Sequence, residues 1–378
     1  MSRPALSANK KHVLLIGGGH AHVAVLADWI KHGLPADRAT LLTPHPTLRY
    51  SGMVPGWISG QYDRDAGLVD IASLARQAGV ELVLDWCAVI DPHERIARTR
   101  GDRAIAFDIA SIDTGGTGRA QSVLGDDPRM IDVRPIDRFV EQFAAWQLNQ
   151  SGPAKIGVIG GGPGGVELAF ALRNREGASG RSEVCLVTGS DGLLPEMSRA
   201  VRSKVLAELE RQQISVITEN AVIRNEALVA GGISLEPVGL IVAALGSAAP
   251  EWPGQSGLEC DADGLIAVDE FQRSVSHPHM LAVGDVARRM DIEVAHSGVH
   301  AVYAGPVLAQ TLRAILDNQE PRSSYRPRGR NLYLMSTGNG SAIASYGHVA
   351  AQGRWMGRLK HWIDTRWIAK YARLGGNM

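Results

Sequence analysis

Apolar positions along this chain cluster in short unbroken runs that end in glycine, each followed by residues with helical spacing. His12-Val13-Leu14-Leu15-Ile16 is the first run, of the kind a buried parallel strand requires. Gly17-Gly18-Gly19-His20-Ala21-His22 follows, then the apolar helical stretch Val23-Ala24-Val25-Leu26. A second strand, Ala39-Thr40-Leu41-Leu42-Thr43, closes a βαβ unit of about thirty residues. The same grammar returns near the middle. Lys155 to Ile159 runs into Gly160-Gly161-Gly162-Pro163-Gly164-Gly165 and a helix beginning Val166-Glu167-Leu168-Ala169, with Glu183 to Thr188 as its second strand. Three more strands are predicted to end in glycine turns: Ile109 to Ile112 before Asp113-Thr114-Gly115-Gly116, Leu240 to Leu245 before Gly246-Ser247, and Met280 to Val283 before Gly284-Asp285. A helix through Val299 to Leu316, a Pro/Arg-rich linker from Glu320 to Arg330, strands at 331–336 and 342–346, and a basic aromatic tail complete the prediction. Strands alternating with helices give an α/β class with parallel sheets.

Composition narrows the function. A chain of 378 residues exceeds the size at which one core keeps growing, so two domains are expected. An apolar fraction of 45% excludes disorder as the main state. Lys plus Arg and Asp plus Glu balance at 39 each, which argues against a nucleic-acid partner bound through a global positive field. Cys87, Cys185 and Cys260 have no paired spacing, so neither a disulfide framework nor a metal site is supported. The start, MSRPALSANKK, lacks a signal-peptide pattern and no apolar run approaches ~18 residues, so a cytoplasmic location is the expectation.

The 43 glycines matter where backbone must approach a ligand. In a strand–glycine–helix unit the first glycine allows the tight turn and the second lets backbone reach a diphosphate. The third permits close strand–helix packing, and the phosphates sit at the helix N-terminus. Gly160, Gly162 and Gly165 satisfy that pattern, with Pro163 and Gly164 opening the helix. In the first run Gly17, Gly18 and Gly19 are present, but His22 takes the third glycine's place. His20 and His22, flanking Ala21, either face phosphates through neutral N–H groups or cap the first turn. The acid that grips a ribose hydroxyl about twenty residues on is missing in both copies. Thr43 and Thr188 stand at those strand ends, and NADH is expected over NADPH.

This ordered set resembles the two-dinucleotide-binding-domain flavoproteins of the pyridine nucleotide-disulfide oxidoreductase superfamily, over nearly the whole chain. The resemblance implies two Rossmann-like domains, the NAD(P) domain inserted into the FAD domain. FAD-binding parts would span 1–125 and 253–322, the NAD(P)-binding domain 126–252, and a C-terminal interface region 323–378. It implies FAD on the first glycine run with Thr43, Thr114 and Gly115, and NAD(P)H on the central run with Thr188 and Gly246. Asp285, after Gly284, would hydrogen-bond the ribityl chain, and the helix starting around His296 to Val299 would aim its N-terminus at the flavin pyrimidine. Glu167 would lie near the nicotinamide–flavin contact, relaying a proton or orienting the carboxamide; alternatively, the helix dipole alone favours a Glu there. Members with a redox-active disulfide carry a cysteine pair after the first βαβ unit. Here Tyr50-Ser51-Gly52-Met53-Val54-Pro55-Gly56 holds none, so Ser51, Gly52 and Met53 would meet the flavin instead.

That segment, with Gly-Gly-Gly-His-Ala-His, is similar to type II NADH dehydrogenases and to the flavoprotein part of selenide, water dikinase fusions. Hydride passing from NAD(P)H to flavin and electrons on to a small-molecule acceptor, a quinone in first place, are the implied activity. A ferredoxin-type protein or a selenium or sulfur compound is the alternative acceptor, and a flavin-binding redox sensor or assembly module without turnover is the alternative class. From Gly353 to Arg373 six Lys/Arg stand against one acid, Asp364, and Trp355, Leu359, Trp362, Ile363, Trp367 and Tyr371 recur at three- and four-residue steps. Residues 353–378 are therefore read as a helix with one aromatic face. It either lies on a membrane surface, making the protein peripheral on the inner face of the cytoplasmic membrane, or packs on the core or on a second subunit in a homodimer.

Overall fold

The computed structural model describes residues 11–150, 152–175, 181–295, 298–327 and 330–376. Two five-stranded parallel sheets organise it. The first runs, in spatial order, Met280–Ala282, Ile109–Ile112, His12–Ile16, Arg38–Thr43, Glu81–Leu84. The second runs Met130–Asp132, Leu240–Ala243, Lys155–Ile159, Glu183–Val187, Ser215–Ile217. The chain leaves the first sheet after Ile112 and rejoins it at Met280, so the second sheet is an insertion into the first. The outgoing and returning segments meet where Thr117 and Ala248 exchange backbone hydrogen bonds of 2.8 and 2.9 Å.

Unbroken apolar runs form these strands because both faces are covered. Val13 and Leu15 face the helices His20–His32 and Gly298–Leu316. Leu14 and Ile16 face a three-stranded antiparallel sheet, Cys87–Asp91, Ile96–Thr99 and Ala104–Ala106. In the second sheet Ile156 and Val158 meet the helices Ile136–Leu148, Pro163–Asn174 and Arg199–Arg211, while Ile159, Cys185 and Val187 meet the small sheet 221–234.

Three antiparallel strands, Leu332–Ser336, Ala342–Tyr346 and Val349–Gly353, precede a last helix, Arg354–Leu374. The third strand is absent from the sequence prediction: Val-Ala-Ala-Gln-Gly is extended because it pairs with Ala342–Tyr346 across a tight turn. The single aromatic face expected of the last helix is corrected by the structure. Met356 and Tyr371 are buried, Leu359 and Trp367 are half-buried against the protein, and Ile363 is half-buried. Trp355 and Trp362, seven residues apart, remain 60% and 55% exposed. At about 100° per residue those two indoles fall on the opposite side from Tyr371.

Candidate active site

The carboxyl ends of the first sheet open into a cleft enclosing about 300 Å³. Gly17, Gly18, Gly19 and His20 from the first turn line it, with Thr43 and Ser51, Asp113 to Thr117, Gly284, Asp285, Gly298 and Ala301. Gly17 needs its glycine: φ is +94°, and a Cβ there would meet the Asp113 carbonyl at 2.4 Å. Thr43 is buried on the cleft wall, and its hydroxyl donates to the His45 carbonyl at 3.4 Å. At the far end Trp86 offers an indole face, with the Arg100 guanidinium 4.9 Å from its centre.

His22 does not face the cleft, which corrects both sequence expectations for it. Its ring is fully buried beneath the turn. Nδ1 lies 2.6 Å from the Gly17 carbonyl and Nε2 2.8 Å from the Ser111 hydroxyl. A carbonyl only accepts, so Nδ1 carries the proton and Nε2 accepts from Ser111. Burial holds the ring neutral, with its pKa down at about 4. The imidazole thus fills the space a third glycine would leave and ties strand to helix. Ala21 is likewise turned away from the cleft, fully buried against the sheet. His20, by contrast, lines the cleft, and its buried Nε2 has no hydrogen-bond partner. Burial first, then Arg134, lowers its pKa to about 4. An unsatisfied buried ring nitrogen over a glycine turn fits a ligand with hydrogen-bonding groups, as an FAD there would be.

A second cavity, about 610 Å³, lies in the seam between the two sheets' units and is lined by Arg134, Glu196, Gly246, Ser247, Asp285, Arg288 and Glu293 among others. It shares Arg134 and Asp285 with the first cleft, and the Arg134 guanidinium donates to Asp285 across the seam at 3.1 Å. In the central run Gly160 adopts φ +134°, and a Cβ on Gly165 would sit 2.0 Å from the Gly160 carbonyl. Nothing lies within 4 Å of a Cβ on Gly162 or Gly164, so that face of the turn is open to a ligand. Pro163 begins the helix. Thr188 is buried, its hydroxyl 3.3 Å from the Gly189 carbonyl and 3.4 Å from that of Ile217.

Glu167 stands in a polar cluster with the last helix. It is half-buried, accepts the Ser336 N–H at 2.7 Å, and faces the Lys360 ammonium at 3.9 Å. Lys360 also donates to Asp364 at 3.1 Å and to the Gly52 carbonyl at 3.1 Å, and the Tyr50 hydroxyl donates to Asp364 at 3.2 Å. Burial pushes Glu167 and Asp364 upward from the usual carboxylate range, opposed by Lys360. Burial alone would lower Lys360, but Glu167 and Asp364 outweigh it and hold the ammonium charged. Two carboxyls share one cation. A cavity of about 250 Å³ opens on this cluster, walled by Gly52, Gly56, Ser336, Lys360 and the Tyr62–His361 pair, whose rings stack at 5.6 Å. Tyr50 and Trp367 stack at 4.8 Å between the cluster and His20 in the first cleft.

Sequence reading missed Asp113, Arg134, Tyr50, Lys360 and Asp364. Only the acid–base spacing of Lys360 and Asp364, one helical turn apart, could have flagged a pair. Of the segment expected against the flavin, Ser51 lines the first cleft and Gly52 the cavity behind it. Met53 is corrected: it is buried against Gly67, away from both. His296 lies outside the described residues, and Val299 stands half-buried in the first turn of the helix that follows. Cys87 lines the cleft, but burial lifts its thiol to about 12.

Comparisons with known proteins agree with this architecture. The chain is 23% identical over 287 residues to the NADH dehydrogenase-like protein YutJ of Bacillus subtilis, covering 73% of this chain and 77% of that one. It is 23% identical over 366 residues to the oxidoreductase ptaL of Pestalotiopsis fici, covering 91% and 93%. The fold is similar to the sulfide:quinone oxidoreductase of Aquifex aeolicus, with TM-score 0.76, 17% identity and coverage of 96% and 92%. It is similar also to NDH2 from Plasmodium falciparum, solved in complex with NADH, with TM-score 0.75, 15% identity and coverage of 97% and 99%. Residues 11–305, spanning both glycine turns and the Gly284-Asp285 turn, match the family described as pyridine nucleotide-disulphide oxidoreductase, so this chain belongs to that family, and its cofactors are FAD and NAD(P)H.

Proposed function

We propose that this oxidoreductase carries reducing equivalents from NAD(P)H to a quinone. Bound FAD supplies the two-electron chemistry between nicotinamide and acceptor. Gly17 to Gly19, His20, Thr114, Gly115 and Asp285 would hold it in the first cleft. Gly162 and Gly164 with Gly246 would present the nicotinamide nucleotide to the seam cavity. Arg134, on the border of both cavities, would orient the two ligands.

The observation that carries the quinone reading is the cavity on the Glu167–Lys360–Asp364 cluster. Reducing a quinone to a quinol consumes two protons with its two electrons. Lys360 stands on the cavity wall with two carboxyls behind it, whose proton affinity burial raises against the opposing pull of the ammonium. A flat ring would lie against Tyr62 and His361. Ser51 lines the first cleft and its neighbour Gly52 lines this cavity, so the two pockets adjoin along the chain. Sulfur chemistry would need a thiolate at the cavity, and among the described residues none lines it. The name of the Aquifex relative, sulfide:quinone oxidoreductase, is consistent with a quinone here.

The outer face of the last helix supports a lipid-surface location, where quinones reside. Trp355, Arg358, Trp362 and Arg366 form one exposed stripe, with the Arg366 guanidinium 5.2 Å from the Trp362 ring. Among the described residues no helix is long and apolar enough to cross a membrane. The test is anaerobic NADH and NADPH oxidation by FAD-loaded protein against ubiquinone and menaquinone analogues, a ferredoxin, and selenium and sulfur compounds. Turnover with quinones that falls in Lys360→Met is expected. Turnover confined to the other acceptors, or none with any, overturns the reading.

A further inference from the structure

Asp113 lies directly under the first glycine turn. It follows the strand Ile109–Ile112 and is 3% exposed in the floor of the first cleft. One carboxylate oxygen accepts the backbone N–H groups of Ala21 and His22 at 2.8 and 2.9 Å, and its main-chain carbonyl accepts that of Gly19 at 3.1 Å. These donors belong to the start of the helix His20–His32, whose free amides carry partial positive charge. A Cβ built on Gly19 would come 2.4 Å from either carboxylate oxygen, so the acid lies directly beneath the glycine turn. The end of the helix that a dinucleotide diphosphate approaches therefore already serves a carboxylate.

No cation neutralises Asp113 among the described residues. Arg134 is committed to Asp285, and Asp285 adds a second negative charge beside Asp113. His22 has both ring nitrogens occupied, one of them by Ser111, and His20 is held neutral by burial. A diphosphate arriving here would bring further negative charge to a site with one free helix end to share. Repulsion between like charges at this range is relieved most cheaply by a proton on one of them.

We propose that Asp113 takes up a proton when FAD binds, so that flavin nucleotide and proton enter this protein together. The protonated carboxyl still accepts from Ala21 and His22 through its carbonyl oxygen, and its O–H becomes a donor toward the diphosphate. Burial, the largest influence, already lifts Asp113 to about 7, against the two amides that lower it, and Asp285 adds to the rise. Below that point the flavin-free protein carries the proton beforehand and uptake vanishes. Above it, uptake approaches about one proton per FAD and affinity falls about tenfold per pH unit. The inference rests on the FAD reading of this cleft.

The experiment is calorimetric titration of FAD into flavin-free protein in phosphate and in Tris, buffers of very different ionisation heat, at pH 6 and pH 8. A buffer-dependent heat equal to about one proton is expected at pH 8, and little at pH 6. Asp113→Asn keeps an acceptor for both amides and should bind FAD at pH 8 without proton uptake and more tightly than the parent. Equal heats in the two buffers at pH 8 for the parent protein, with FAD bound, overturn the inference and leave the flavin reading intact. Uptake that persists in Asp113→Asn overturns it in favour of His20. If that variant does not fold by circular dichroism, the parent's pH 6 and pH 8 pair decides alone. Absence of FAD binding at either pH removes the flavin reading together with this one.

Discussion

Replacing Lys360 by Met keeps side-chain length and removes the cation between the carboxyls of Glu167 and Asp364. Glu167 and Asp364 lie 3.9 and 3.1 Å from the ammonium, whose side chain is 13% exposed. At an effective dielectric of about 20, those separations correspond to roughly 4 and 5 kcal/mol of attraction. Desolvation of the lysine offsets much of that, and removing one partner of a buried pair costs about 3–5 kcal/mol. With an unfolding entropy of about 2.1 cal/mol/K per residue, a chain of this length loses roughly 0.8 kcal/mol per degree, so Lys360→Met should melt about 4–6 °C lower at neutral pH. The sign of the pH dependence is fixed as well. Glu167 and Asp364 already sit above the unfolded carboxylate range, and losing Lys360 raises them further. The folded variant then binds protons that the unfolded chain releases, so its stability declines as pH rises above the unfolded value and recovers toward pH 5. Thermal melts across that range, followed by circular dichroism, check this. Adding Glu167→Gln to Lys360→Met should restore part of the loss. A loss that is the same at pH 5 and pH 8, or no loss at all, refutes the account of the cluster.

Two further outcomes are expected. His22→Gly recreates the three-glycine pattern yet should destabilise the protein by about 1–3 kcal/mol, because the Gly17 carbonyl and Ser111 hydroxyl lose their partner inside the core; denaturant melts measure it, and a stabilised variant would mean the imidazole is not holding strand to helix. Trp355→Ser with Trp362→Ser, both on the exposed side of the last helix, should leave the melting temperature within a degree or two and sharply reduce co-sedimentation with anionic vesicles; unchanged sedimentation would remove the lipid-surface proposal.

Helix and sheet were legible wherever a run of apolar residues was long enough to be buried on both faces. His12–Ile16, Lys155–Ile159 and Ala342–Tyr346 appear at the positions their sequences predict. The strands 96–106 and 221–234 were not predicted, because each is short and half polar. Ala97, Ile105 and Leu228 become strand residues only by packing on a sheet formed elsewhere. The glycine turns were readable too, since backbone sterics impose them locally.

What the sequence determined alone is therefore local: two strand–glycine–helix units, their order, and the lack of a cysteine pair in Tyr50 to Gly56. Tertiary structure decided which side chains meet. Ionisation and hydrogen bonding depend on neighbours far apart in the chain, so no local pattern could tell that His22 would turn inward to Ser111. Nor could it tell that Asp113 would cap a helix ninety-odd residues away, or that Glu167 would face Lys360. Burial supplies the reason in each case, since a polar group excluded from water must take whatever partner the fold brings to it.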